Sequence, residues 1–143
     1  MPGNYLEAVR KAGQAVNPLF AFLGMVVVEI GPERAVLDLP FRQEFLQGAG
    51  AVAGGIIAAL ADEAMAHVVL ANLGQAEKTA TIEMTMRYFR PVLSNGLIAT
   101  ATLVNKGRRI ISAEALVTDD AGRLVGKAGG SFFVIAHSGS KAG

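Results

Sequence analysis

Asp62 is a carboxylate placed two turns into a stretch, Gly54 to Ala71, that reads as a largely apolar helix. Ala58, Ala59, Met65 and Ala66 flank it at one-turn spacing. An ionised carboxylate among such neighbours costs roughly several kcal/mol unless something compensates it. A reactive acid or base is the chemistry that this residue type suggests in this setting. The same stretch opens on Gly54-Gly55. The first N–H groups of a helix have no intrahelical acceptor and lie at the positive end of its dipole. With no side chain to crowd the approach, they have the makeup of a hole for negative charge developing on a carbonyl oxygen. Asp62 lies eight residues beyond Gly54, about 12 Å at 1.5 Å per residue. A single chain cannot easily bring both to one carbonyl.

The elements that must position these groups belong to a chain of 143 residues, one domain by length. The expected domain is 1–137, with a small, polar, disordered tail over 138–143. Hydrophobic residues make up 52% and mean hydropathy is +0.41, so a membrane span has to be considered. The longest apolar run carries Asp62, Glu63 and His67 at its centre. Each such charge costs about 2.5–3.5 kcal/mol on insertion, which argues against a span. Apolar surface in this excess is instead expected between subunits. The first twenty residues scatter Glu7, Arg10 and Lys11 among apolar positions, unlike a signal peptide, and cytoplasm is the default expectation. Zero cysteines exclude disulfides, thiolate metal sites and cysteine nucleophiles.

Net charge is +1, too small for a global field that attracts nucleic acid. Between Glu83 and Glu114 there is no acidic residue, while Arg87, Arg90, Lys106, Arg108 and Arg109 all fall there. That distribution suits a basic rim for a phosphorylated ligand, or else ordinary solvated strand ends. Aromatic content is 6%, Trp is absent and no nucleic-acid motif accompanies the basic residues, so no nucleic-acid partner is expected.

Asn4 to Gln14 reads as a short amphipathic helix broken by Asn17-Pro18. Met25 to Ile30 and Ala35 to Leu39 read as a hairpin around Gly31-Pro32-Glu33-Arg34. An irregular approach from Phe41 to Val52 leads into the long helix, which stops near Gly74. Four strands follow as an antiparallel meander: Thr79 to Tyr88, Leu97 to Val104, Arg109 to Thr118 and Arg123 to Ile135. In the first of them Ala80, Ile82, Met84, Met86 and Tyr88 alternate strictly with polar residues, the period of a half-buried strand. The class is α+β, with an antiparallel sheet curled around one long central helix that keeps no solvent face.

The run Gln47-x-x-Gly50-x-x-Ala53-Gly54-Gly55, then Leu60-Ala61-Asp62 and Ala64, resembles the hotdog-fold acyl-CoA thioesterases of the phenylacetate-degradation (PaaI-like) type. The family pattern is Asn-x-x-Gly-x-x-His-Gly-Gly followed by Ala-Leu-Ala-Asp in the central helix. Tyr88-x-x-Pro91, the Gly96 turn and Gly107-Arg108 extend the likeness to roughly residues 20 to 135. Gln47 stands where the family has asparagine, and Ala53 where it has histidine. The second change removes a side-chain partner from the helix start but leaves the backbone donors.

The resemblance implies thioester hydrolysis of acyl-CoA to free acid and coenzyme A, without a cofactor or metal. It implies a site formed across a homodimer or a homotetramer built as a dimer of dimers, with the acid of one subunit meeting the glycine amide of another. Asp62 is then nucleophile or general base, and Gly54 the oxyanion donor. Thr81 falls at a Ser/Thr position that helps hold water, and Gln47 orients water or substrate. Gly55 and the basic residues Arg87, Arg90, Lys106, Arg108 and Arg109 are the candidate contacts for coenzyme A. Glu63 points about 100° away from Asp62 and is set aside. His67, five residues past Asp62, reads as a packed or interface histidine; it and His137 lack the spacing of metal ligands. The same-fold alternative of a dehydratase needs a histidine–acid pair that neither supplies. A non-catalytic acyl-CoA-binding hotdog module is the alternative from another class.

Overall fold

In the computed structural model, which describes residues 2–136, two short helices precede a six-stranded antiparallel sheet and its long helix. They are α1 (Pro2–Val9) and α2 (Pro18–Leu23), followed by β1 (Val26–Ile30) and β2 (Ala35–Leu39). A 3-10 turn at Gln43–Phe45 leads to α3 (Gly54–Leu70), and then β3 (Glu77–Tyr88), β4 (Leu97–Lys106), β5 (Ile110–Asp119) and β6 (Leu124–Ala136) complete the chain. This is the hotdog fold. His137 and the tail expected to be disordered lie outside the described residues.

The α3 helix packs across the sheet, touching β2 through β6. Leu60, Ala61, Ala64, Met65 and Val68 are completely buried against strand residues such as Leu37, Ala99, Ile111 and Phe132. Repeated alanines on both surfaces let helix and strands approach closely, which suits the close packing of a core. A single sheet covers only one side of a helix, however. Gly54 and Gly55 are exposed, and Ala58, Ala59, Asp62 and Ala66 are only partly covered. The expectation of a helix without a solvent face is corrected here: within one chain α3 keeps an open flank, and Asp62 lies on it.

Two further expectations are corrected by the structure. The helix expected from Asn4 to Gln14 ends already at Val9, and Asn17-Pro18, expected to break it, instead starts a second helix. The Asn17 side chain accepts from the Leu19 and Phe20 N–H groups at 3.1 and 3.2 Å, and Pro18 occupies the first helical position. A cap residue followed by proline is a helix start as much as a stop. The last four strands are also not a simple meander. The sheet order is β1-β2-β4-β5-β6-β3, so β3 pairs with β6 at the far edge rather than with β4. The connection from β3 to β4, residues 89–96, is too long for a tight hairpin and carries the chain across the sheet.

That edge placement explains why β3 is less buried than its pattern suggested. Met84 and Met86 are half-buried, whereas Ile82 is 51% exposed. The pairing with β6 shifts register between Thr81 and Glu83, the mark of a β-bulge, which breaks the two-residue period. Thr81 and Met84 consequently both face α3, although strict alternation assigns them to opposite faces.

Candidate active site

Asp62 and Thr81 are brought together by that bulge. The Thr81 hydroxyl donates to Asp62 Oδ1 at 3.1 Å. Burial pushes the Asp62 carboxyl above its usual range, and the Thr81 hydrogen bond pulls it partly back. The two line a cavity of 290 Å³ together with Glu63, Tyr5, Asn17 and Lys78. Its walls come from α3, from α1 and its link to α2, and from the start of β3.

Glu63, set aside on the grounds of helical angle, faces this same cavity, because the cavity is wide enough to span both flanks of the helix. Burial first, and the Asp62 charge second, push its carboxyl up to about 7, while the Asn17 side chain opposes the shift. Two adjacent carboxyls in one recess resist double ionisation.

His67 is a packed residue, only 2% exposed, between the rings of Tyr5 and Phe20. Its Nδ1 lies 2.6 Å from the Glu63 backbone carbonyl, which can only accept, so Nδ1 carries the proton. Nε2 therefore accepts from the Tyr5 hydroxyl at 2.7 Å, and the Tyr5 oxygen accepts from the Asn17 amide at 2.8 Å. Burial lowers the His67 pKa, in keeping with this neutral form. The chain of hydrogen bonds fastens both N-terminal helices to α3. Tyr5 and Asn17 were invisible as site residues in the sequence, since their only signal there was that of an amphipathic stripe and a helix break.

Gly54 sits at the other end of β3. Ala53 is the N-cap and offers no side-chain hydrogen bond, and neither the Gly54 nor the Gly55 N–H has a protein acceptor among the described residues. The Tyr88 hydroxyl donates to the Gly54 carbonyl at 2.6 Å. A Cβ on Gly54 would lie 3.2 Å from the Tyr88 ring and hydroxyl, so a larger residue there shifts the Tyr88 side chain by a few tenths of an ångström. In the sequence Tyr88 stands out only as an apolar strand position and as part of the Tyr88-x-x-Pro91 likeness, with no role of its own. Gln47 bonds within its own turn, its side-chain oxygen accepting from the Ala49 N–H, and it lines neither the cavity beside Gly54 nor the one beside Asp62.

The basic residues divide between the two ends instead of forming one rim. Arg87 pairs in register with Lys127, and Arg90 lines a cavity of 340 Å³ beside Gly54 and Tyr88. Lys106, Arg108 and Arg109 lie at or just after the end of β4. There the Arg109 carbonyl accepts from Val134 and Ile110 stands opposite Phe133, itself opposite Ala80. From Phe133 to Gly126 is seven residues of β6, about 23 Å at 3.3 Å per residue. The structure thus presents an acid end, with Asp62, Thr81 and the Arg108-Arg109 turn, and an amide end, with Gly54, Tyr88 and Arg90.

A family model for the thioesterase superfamily matches residues 49–126, more than half of the chain and inclusive of the glycine pair, Asp62 and Thr81. The chain belongs to the thioesterase superfamily. A mutant of the phenylacetic acid degradation protein PaaI from Thermus thermophilus is 30% identical, with 82% of this chain and 98% of that one covered and a TM-score of 0.75. A thioesterase family protein from Silicibacter pomeroyi shares the fold at a TM-score of 0.83 and 21% identity, over 92% of this chain and 98% of its own. A Saccharolobus solfataricus protein provisionally named an esterase is 25% identical over 130 residues, covering 91% of this chain and 92% of itself. This PaaI-like hotdog thioesterase is a hydrolase, and no helix among its described residues is long and apolar enough to cross a membrane.

Proposed function

We propose that the substrate of this thioesterase is an acyl-CoA and that the reaction takes place between two copies of the chain. The observation that carries the proposal is the separation of the two ends. The α3 helix holds Gly54 and Asp62 eight residues apart, about 12 Å along its axis, and β3 runs beside it in the opposite direction, with Tyr88 at Gly54 and Thr81 at Asp62. β3 is also a 12-residue edge strand with one side unpaired. Long unpaired edges are templates for another strand. Antiparallel pairing of β3 with the same strand of a second copy sets the amide end of one against the acid end of the other. The exposed Ile82, Tyr88 and Phe89 then find apolar cover. Exposed Phe22, Val26 and Val28, far from that edge, offer a second contact for a dimer of dimers.

In such a site the free N–H of Gly54, with Gly55 beside it, polarises the thioester carbonyl and holds its oxyanion. Asp62 acts from the other copy in one of two ways. It attacks the carbonyl carbon itself, expelling the coenzyme A thiolate and leaving an anhydride that water cleaves. Otherwise it takes a proton from the water that attacks. Thr81 fixes the Asp62 carboxylate in either case. Gln47, in the turn before Gly54, is assigned to orienting substrate at the amide end. Arg87 and Arg90 of one copy and Lys106, Arg108 and Arg109 of the other gather on the coenzyme A phosphates, as charge-assisted recognition requires. The cytoplasm is the proposed setting.

The test is Asp62→Asn, which keeps size and hydrogen-bonding capacity while removing the anion. Acyl-CoA hydrolysis by the folded variant is expected to lose at least ~10²-fold in kcat, the low end for general-base catalysis, with a much smaller change in KM. Undiminished turnover removes Asp62 from the mechanism. A wild type that binds acyl-CoA without hydrolysing it favours the binding-module alternative.

A further inference from the structure

The cavity beside Asp62 has a polar end that the hydrolytic reaction does not use. Ala66 and Leu70 of α3 supply an apolar wall, while Tyr5, Asn17, Glu63 and His67 close the recess. The Tyr5 hydroxyl, the His67 ring and the Asn17 amide bond to one another. Glu63 is different. Its Oε1 stands 4.0 Å from His67 Nδ1, which bonds the Glu63 backbone carbonyl instead, and the side chain is 21% exposed. A carboxyl group has about four lone-pair positions, so Glu63 has hydrogen-bonding capacity to spare.

Charge decides which part of an acyl-CoA enters here. Two carboxyls and one ammonium, Lys78, line the recess, which disfavours phosphates, whereas the arginines lie outside it. At 290 Å³ the space holds about ten non-hydrogen atoms, if each takes about the 30 Å³ that a water occupies in the liquid. We propose that the recess receives the acyl group and that Glu63 is its specificity-determining residue, selecting a short acyl chain with a hydroxyl at its far end. This rests on the acyl-CoA thioesterase reading above. A plain alkyl chain of the same length leaves a desolvated carboxyl without its partner, and sites built to hydrogen-bond a hydroxyl reject the analogue lacking it.

The experiment compares kcat/KM for 6-hydroxyhexanoyl-CoA and hexanoyl-CoA, which differ by that hydroxyl alone. Wild type is expected to prefer the hydroxylated substrate by about tenfold or more, the worth of one buried hydrogen bond. Glu63→Leu should bring the ratio to within about twofold of unity, and Glu63→Gln, which still hydrogen-bonds, should retain most of it. A merely structural role for Glu63 would change both rates together and leave the ratio intact. Should Glu63→Leu fail to fold, Glu63→Ala reads the same ratio. Equal or faster hydrolysis of hexanoyl-CoA by wild type overturns the role of Glu63 while thioester hydrolysis stands. So does a ratio unaltered by Glu63→Leu. Hydrolysis of neither overturns this assignment, and if a wider panel of acyl-CoA thioesters is also untouched, the acyl-CoA reading falls with it.

Discussion

Asp62 and Glu63 are neighbours in sequence and in one cavity, yet their protons respond to different contacts. The Thr81 hydroxyl bonds the Asp62 carboxylate and so favours its ionised form against the burial that opposes it. Thr81→Val removes that bond with little change of shape. If Asp62 reacts as the carboxylate, the acid limb of the kcat/KM profile should move to higher pH in the variant, with the plateau less affected. An acid limb that stays in place separates Thr81 from the reacting group. Glu63 makes a different prediction, about stability. Its carboxyl is raised from 4.5 to about 7 in the folded protein, so the folded state holds the proton more tightly. The stabilisation is complete below pH 4.5 and is lost as pH rises through about 7. Glu63→Gln should therefore be more stable than wild type at pH 8, by on the order of 3 kcal/mol, with the gain vanishing near pH 4. Denaturant midpoints at the two pH values read this directly.

At the scale of elements, period and punctuation carried most of the fold, and the places where they failed have identifiable physics. The α3 helix announced itself through an apolar run opened by two glycines, and the hairpin of β1 and β2 through its Gly-Pro turn. The strand order could not be read, because hydrophobic alternation shows that β3 is a strand but not which neighbour it takes. The bulge at Thr81–Glu83 was equally silent, and it is what turns Thr81 toward Asp62. Asp62, Gly54 and Thr81 were legible as candidates from residue type, spacing and resemblance. Tyr88, Tyr5 and Asn17 were not, since their hydrogen bonds span 34, 62 and 12 positions of the chain. The β3–β6 pairing itself is testable at Gly126, where an added Cβ would lie 2.5 Å from the Arg87 carbonyl oxygen and 2.7 Å from the Met86 methyl. Gly126→Ala should destabilise the protein by about 1–3 kcal/mol, the cost of overpacking a close contact. Because Arg87 and Met86 adjoin Tyr88, the variant should also lose activity beyond what its folded fraction explains. A thermal midpoint equal to wild type contradicts that packing.

On the scale of the whole molecule, the account requires a site that one chain does not complete. Half of it is the Asp62–Thr81 pair and half the open amide of Gly54 with Tyr88 behind it. Gly54 is the first residue of α3, and Ala53 before it has φ −59 and ψ 136. Proline is tolerated at the first helical position and lacks the N–H, so Gly54→Pro removes the proposed donor and keeps the helix start, its Cβ asking a small shift of the Tyr88 side chain. The most direct measurement is acyl-CoA hydrolysis by Asp62→Asn and Gly54→Pro chains, each alone and then co-expressed. Each alone should fall by about 10²-fold or more. In a random mixture half the dimers are mixed and each mixed dimer has one intact site of two, so about a quarter of wild-type activity should return. A mixture no more active than its parents would contradict a site shared between copies with Asp62 on one and Gly54 on the other.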